Sequence, residues 1–115
     1  MWSRAVSLGG GMVLTDVLCS YRTFAANDSG RLARTAENLR DAERLHSLFA
    51  QRHPNFDWNR ALVRIARLSQ NQIRHFRKQG DAEAVAANLA FWKECIPLKI
   101  RFRTACINLA RRVTG

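Results

Sequence analysis

The stretch Asp57-WNRALVRIARLSQNQIRHFRKQG-Asp81, residues 57 to 81, carries signals for both ends of a helix. Asp57 is a good N-cap, because its carboxylate can accept from a backbone N–H that the first turn leaves without a partner. Gly80 suits the left-handed residue that closes a helix, and Asp81 can cap the next one. Between them, Trp58, Ala61, Leu62, Ile65, Leu68, Gln72 and Phe76 recur every three or four residues, as one helical face does. Much of the rest is basic: Arg60, Arg64, Arg67, Arg74, Arg77 and Lys78. No Asp or Glu occurs from Trp58 through Gly80, so no i,i+4 ion pair can neutralise these cations within the helix. A solvated surface usually carries both signs, so this pattern favours a partner.

The same period extends in both directions. Met12, Val13, Val17, Tyr21, Phe24 and Ala25 predict a first helix, following the hinge Gly9-Gly10-Gly11. Asn27-Asp28-Ser29-Gly30 ends it and can cap a second helix over about 31–51. That helix has an apolar stripe of Leu32, Ala36, Leu39, Ala42, Leu45, Leu48 and Phe49. Pro54 stops it. Beyond Asp81, Val85, Leu89, Trp92 and Ile96 line up on a fourth helix over about 82–95. Pro97 either kinks this helix or starts a fifth. The fifth would put Leu98, Phe102, Ala105, Cys106, Leu109 and Val113 on one side. No stretch alternates with a period of two, and no Asn-Gly or Asp-Gly hairpin signal occurs. The expectation is an all-α helical bundle of four to five helices. Residues 1–11 would form an N-terminal arm, and 12–115 one helical domain.

The composition narrows the function. With 47% apolar residues the chain is too hydrophobic for disorder, and 115 residues suffice for one core. Lys plus Arg number 19 against 9 Asp plus Glu, a net charge of +10. Arginine dominates, since the lysines are only Lys78, Lys93 and Lys99. Such a field favours acidic partners, and guanidinium groups suit bidentate contact with carboxylate or phosphate. No run of about 18 apolar residues is present, so no segment spans a membrane. The opening MWSRAVSLGGGMVLT is basic and free of acid, as organelle-targeting segments are, and is expected to be an uncleaved import signal or a plain arm.

Catalytic patterns are missing. His46, His53 and His75 form no metal-ligand motif, no G-x-S-x-G occurs, and the triple glycine lacks the Lys-Ser/Thr of a phosphate loop. Cys19, Cys95 and Cys106 include no C-x-x-C pair and read as buried thiols in a reducing compartment. The chain reads as a non-enzyme with no cofactor of its own. Phe91, Trp92 and Phe102 could stack on bases, but their spacing favours the core.

A further stretch, VLCSYRTF (residues 17–24), places Arg22 one step around the helix from Tyr21, at the border of the apolar face. There it can lay its stem along the core and present its guanidinium to an outside acid. Ser20-Tyr21-Arg22 resembles the leucine-tyrosine-arginine tripeptide of the LYR-motif proteins, small basic helical proteins of mitochondria. Phe49, 28 positions after Tyr21, matches the phenylalanine of that pattern, with Phe76 a competing match. Phe91 to Phe102, FWKECIPLKIRF, also resembles the C-terminal part of the complex I LYR subunit. Ser20 departs from the leading leucine, the next arginines are only Arg31 and Arg34, and the chain beyond about residue 80 exceeds the family's three-helix core.

The resemblance implies a mitochondrial location, on the matrix side or in an inner-membrane complex. It implies an accessory or assembly subunit of a respiratory-chain complex, peripheral to the membrane. It also implies an acidic acyl carrier protein as partner, whose acyl-phosphopantetheine would enter the bundle while Arg22 meets its acids or phosphate. A chain of about a dozen methylenes, at roughly 0.8 kcal/mol each, could hold two proteins together. The candidate partner-binding residues are then Tyr21, Arg22, Phe49, Arg60, Arg64, Arg67, Arg74, Arg77 and Lys78. The alternative is a small basic mitoribosomal or ribosomal protein that binds rRNA through the same arginines. Arg101, Arg103, Arg111 and Arg112 would add to such a surface.

Overall fold

The computed structural model describes residues 8–12 and 28–114. From Asp28 onward, five helices follow one another: α1 (Asp28–Arg34), α2 (Glu37–Arg52), α3 (Trp58–Gln79), α4 (Ala82–Cys95) and α5 (Leu98–Thr114). No strand occurs among the described residues, so the chain is an all-α bundle. The helix expected over 12–25, with Tyr21 and Arg22, lies outside the described residues apart from Met12.

The organising element is α3. Asp57 caps it by accepting from the Arg60 N–H at 2.9 Å. Gly80 ends it at φ 73°. The Gly80 N–H reaches the Arg77 carbonyl at 3.1 Å, and the Asp81 N–H reaches that of Phe76 at 3.0 Å. This paired closure satisfies two carbonyls that the helix end would otherwise strand. A Cβ at Gly80 would meet nothing within 4 Å, so its left-handed backbone, not crowding, calls for glycine. Asp81 then caps α4 by accepting from the Ala84 N–H at 3.1 Å and pairs with Arg34 of α1 at 3.1 Å. One acid thus joins three helices. α3 packs against α2, α4 and α5, while α1 rests on α2 and α4.

The helix expected over 31–51 is two helices. Ala36 adopts a left-handed backbone, φ 60°, and is fully buried. That conformation costs an alanine about 1–2 kcal/mol. Local and long-range bonds offset the cost. The Thr35 hydroxyl donates to the Arg31 and Leu32 carbonyls at 3.2 and 3.4 Å. The Ala33 carbonyl accepts from the Ala36 N–H at 3.3 Å and from Asn88 Nδ2 of α4 at 2.9 Å. Neither glycine nor proline marks the break, so it was not visible in the sequence.

The core joins Ala36, Leu39, Leu62, Ile65, Ala66, Phe91, Ile96 and Ile100, with Trp58 and Trp92 packed at its edge. On α4 the buried face is Ala84, Asn88 and Phe91, one residue around from the expected Val85–Leu89–Trp92 line, whose members are half-buried. This register buries Asn88 as well as Phe91. Asn88 bridges the Ala84 and Ala33 carbonyls, and a buried amide without those acceptors would be costly. Leu45, Leu48 and Leu68, placed on apolar faces by spacing, are about half exposed, whereas Ser69 and Ile73 are buried.

Pro97 separates α4 from α5. Ile96 before it is extended, as the proline ring requires. The Pro97 carbonyl starts α5 by accepting from the Ile100 and Arg101 N–H groups at 2.9 and 3.0 Å. Arg101 folds back, donating through Nε to the Ile96 carbonyl at 2.6 Å and through its guanidinium to that of Lys93, so it satisfies the end of α4. α5 turns Ile100 and Thr104 inward. The expected stripe of Leu98, Phe102, Leu109 and Val113 faces outward, and Phe102 is not a core residue.

The α4 register sets a testable ranking. Phe91→Ala should lower unfolding stability by about 3–5 kcal/mol in a urea titration, and Trp92→Ala by less. The opposite order would show that α4 is rotated from the face described.

Candidate docking site for an acidic partner

The α3 side chains that point away from the core make a single basic stripe. At about 100° per residue, Arg60, Arg64, Arg67, Arg74 and Lys78 fall within roughly 80° of one another, opposite Ile65, Ser69 and Phe76. Arg60, Arg64, Arg74 and Lys78 are exposed and Arg67 is half-buried. From Arg60 to Lys78 the stripe runs about 27 Å along the helix. Arg77, also exposed, stands off to its side. The structure therefore gathers five of the six basic α3 candidates on one line.

No carboxylate lies within 4 Å of any of these six cations among the described residues. The ion pairs lie elsewhere. Arg31 meets Asp28 and Glu37, Arg34 meets Asp81, Arg40 meets Glu94 and Arg44 meets Asp41, all at 3.1–3.9 Å. Ion pairs thus gather on α1, α2 and α4, and none forms on α3 among the described residues. Surface pairs of this kind contribute little stability. Their consequence here is that five of the chain's nine acids are engaged away from the stripe.

Phe49 sits at the other side of the turn into α3, half-buried. Its ring lies 5.2 Å from that of His53 and 5.9 Å from that of Phe56. Phe56 in turn lies 5.9 Å from His46. Between His46, Phe56 and the first two turns of α3 opens a cleft of about 250 Å³, walled also by Asp57, Arg60 and Arg64. His46 Nδ1 donates to the Ala42 carbonyl at 2.6 Å, which leaves Nε2 as its free nitrogen. So Phe49, Arg60 and Arg64 share one corner of the fold, while Arg74, Arg77 and Lys78 lie about 20 Å along α3. Tyr21 and Arg22 lie outside the described residues.

His46 and Phe56 were not among the residues expected at the site. The signal for His46 was present, because 46, 49 and 53 follow the i, i+3, i+7 spacing of one helical face. Phe56 falls in a turn, where no period exists to reveal it.

Cys95 is half-buried and Cys106 is exposed, which corrects the expectation that the thiols are buried; both are free. Burial pushes the Cys95 thiol up from its ordinary range; Arg40 opposes this, and Glu43 and Glu94 add to it. Arg40 also donates to Cys95 Sγ at 3.6 Å. A raised thiol is the reverse of what a nucleophile needs near neutral pH. No cluster of three or more His, Cys, Asp or Glu suitable for a metal occurs among the described residues. No helix among them is long and apolar enough to cross a membrane.

No family model matches the chain, and no curated protein or solved structure matches it either.

Because thiolate is the reactive form, Cys95 should alkylate more slowly than Cys106 with iodoacetamide at about pH 8. Peptide mass mapping over time checks this. Equal rates would mean that the Cys95 environment is open.

Proposed function

We propose that the chain is a non-catalytic helical binding subunit that holds an acidic macromolecule along the outward face of α3. One observation carries this reading: a line of five cations with no ion-pair partner among the described residues, on a molecule in which five acids are held in ion pairs elsewhere. The fields of adjacent unpaired arginines add, so the stripe raises the encounter rate with an anionic surface and sets its orientation.

The partner we propose is a protein with an acidic helix, specifically an acyl carrier protein, within a mitochondrial respiratory-chain complex in which this chain is an accessory or assembly subunit. Three features support it. The resemblance of Ser20-Tyr21-Arg22 to the LYR tripeptide implies such a carrier. The stripe is straight and about 27 Å long, the length of one facing helix of some 18 residues. Its charge is mainly arginine, which binds carboxylates in bidentate fashion. The aromatic corner at Phe49 and Phe56 would border the partner at the α3 N-terminal end.

Titration of the purified chain against an acyl carrier protein by calorimetry tests the proposal. Arg64→Glu/Arg67→Glu should weaken binding by about tenfold or more, while Arg44→Glu, on α2, leaves it nearly unchanged. Melting temperatures should barely move, since neither arginine is in an ion pair among the described residues. If the chain ignores the carrier protein and instead binds an RNA oligonucleotide with a steep fall of log K against log salt, phosphate neutralisation replaces the protein-partner reading.

A further inference from the structure

α5 presents a second surface, chemically unlike the first. Ile100 and Thr104 face the bundle, and Asn108 donates to Gln70 of α3. The opposite side carries Leu98 at 66% exposure, Phe102 at 72%, Leu109 at 64% and Val113 at 80%. These positions, spaced by four, seven and four residues, form one stripe about 22 Å long. Exposed leucines are common singly, but an ordered apolar line on the outside of a helix is not.

The chemistry beside the stripe points to its occupant. Lys99 and Arg103 are exposed along one edge. On the other edge Arg101 is tied back to the Ile96 and Lys93 carbonyls, which keeps its guanidinium off the apolar line. No acid occurs from Pro97 to Gly115, and the whole chain carries +10. A protein groove would be served by such leucines alone. Leucine and phenylalanine at the centre of a helix face, cations at its margin and no carboxylate match a helix lying in the plane of an anionic bilayer. There the apolar side chains sink among the acyl chains and the cations stay at headgroup level. No described helix can cross the bilayer, so contact would be on the surface.

We propose that α5 is a membrane-surface helix that inserts Leu98, Phe102, Leu109 and Val113 into the interface of an anionic bilayer. It is separate from the α3 stripe, whose line is made of cations.

Co-sedimentation of the full chain with vesicles tests it, comparing phosphatidylcholine alone with phosphatidylcholine containing phosphatidylglycerol. Phe102→Ser/Leu109→Ser keeps the charge unchanged and alters only exposed positions, so the fold should persist by circular dichroism. The variant should lose about tenfold or more of its partitioning onto anionic vesicles. The unmodified chain should keep substantial binding at about 0.5 M salt, where contact through charge alone is screened. Equal binding by variant and parent, or complete loss of parental binding in high salt, would reduce the contact to charge and overturn the proposal. So would a parental dimer in solution that Phe102→Ser/Leu109→Ser dissociates, because a second copy would then cover the stripe.

Discussion

A long helix without a single acid cannot neutralise its own arginines, and the rest of this structure is arranged around that constraint. α3 is 22 residues long and fixed at both ends, by the Asp57 carboxylate and by the left-handed Gly80. Its apolar face takes up the core side chains of α2, α4 and α5. Its other face is left to solvent and to whatever carries opposite charge. The neighbouring helices do not supply that charge. Five acids are engaged by Arg31, Arg34, Arg40 and Arg44, and none pairs with a cation of the stripe among the described residues.

The ends of α3 and α4 were legible in the sequence because they depend on local chemistry. An aspartate before an apolar period, and a glycine followed by another aspartate, specify caps without help from the tertiary structure. What depended on long-range contact was not legible. Ala36 breaks a continuous apolar period only because Thr35 and Asn88 together satisfy the carbonyls freed there, and Asn88 lies 55 residues from Ala33. The rotation of α4 has the same cause. Periodicity ranks Leu89 and Trp92 above an asparagine, yet the asparagine is the buried residue; its Nδ2 serves two acceptors while its Oδ1 has no partner.

The candidate site divides in the same way. Spacing alone aligned Arg60, Arg64, Arg67, Arg74 and Lys78, since helical register is a local property. The approach of Phe49 and His46 to the α3 N-terminus depends on the turn at Pro54 and Phe56, which no period reveals. On α5 the apolar spacing defines one face, and of its residues only Phe102 was expected in the core. Hydrophobic periodicity defines a stripe and does not say which side of the helix the bundle occupies. Two Arg101 hydrogen bonds to the end of α4, together with buried Ile100 and Thr104, turn that stripe outward.

The central claim is that the unpaired arginines, and not the paired ones, hold the partner. The most direct measurement is NMR of the arginine Nε–Hε groups during titration with an acyl carrier protein. The account predicts that the resonances of Arg60, Arg64, Arg67 and Arg74 shift together and saturate with one affinity, while those of Arg31, Arg34, Arg40 and Arg44 stay in place. Shifts confined to the paired arginines, or none at saturating carrier protein, would contradict it.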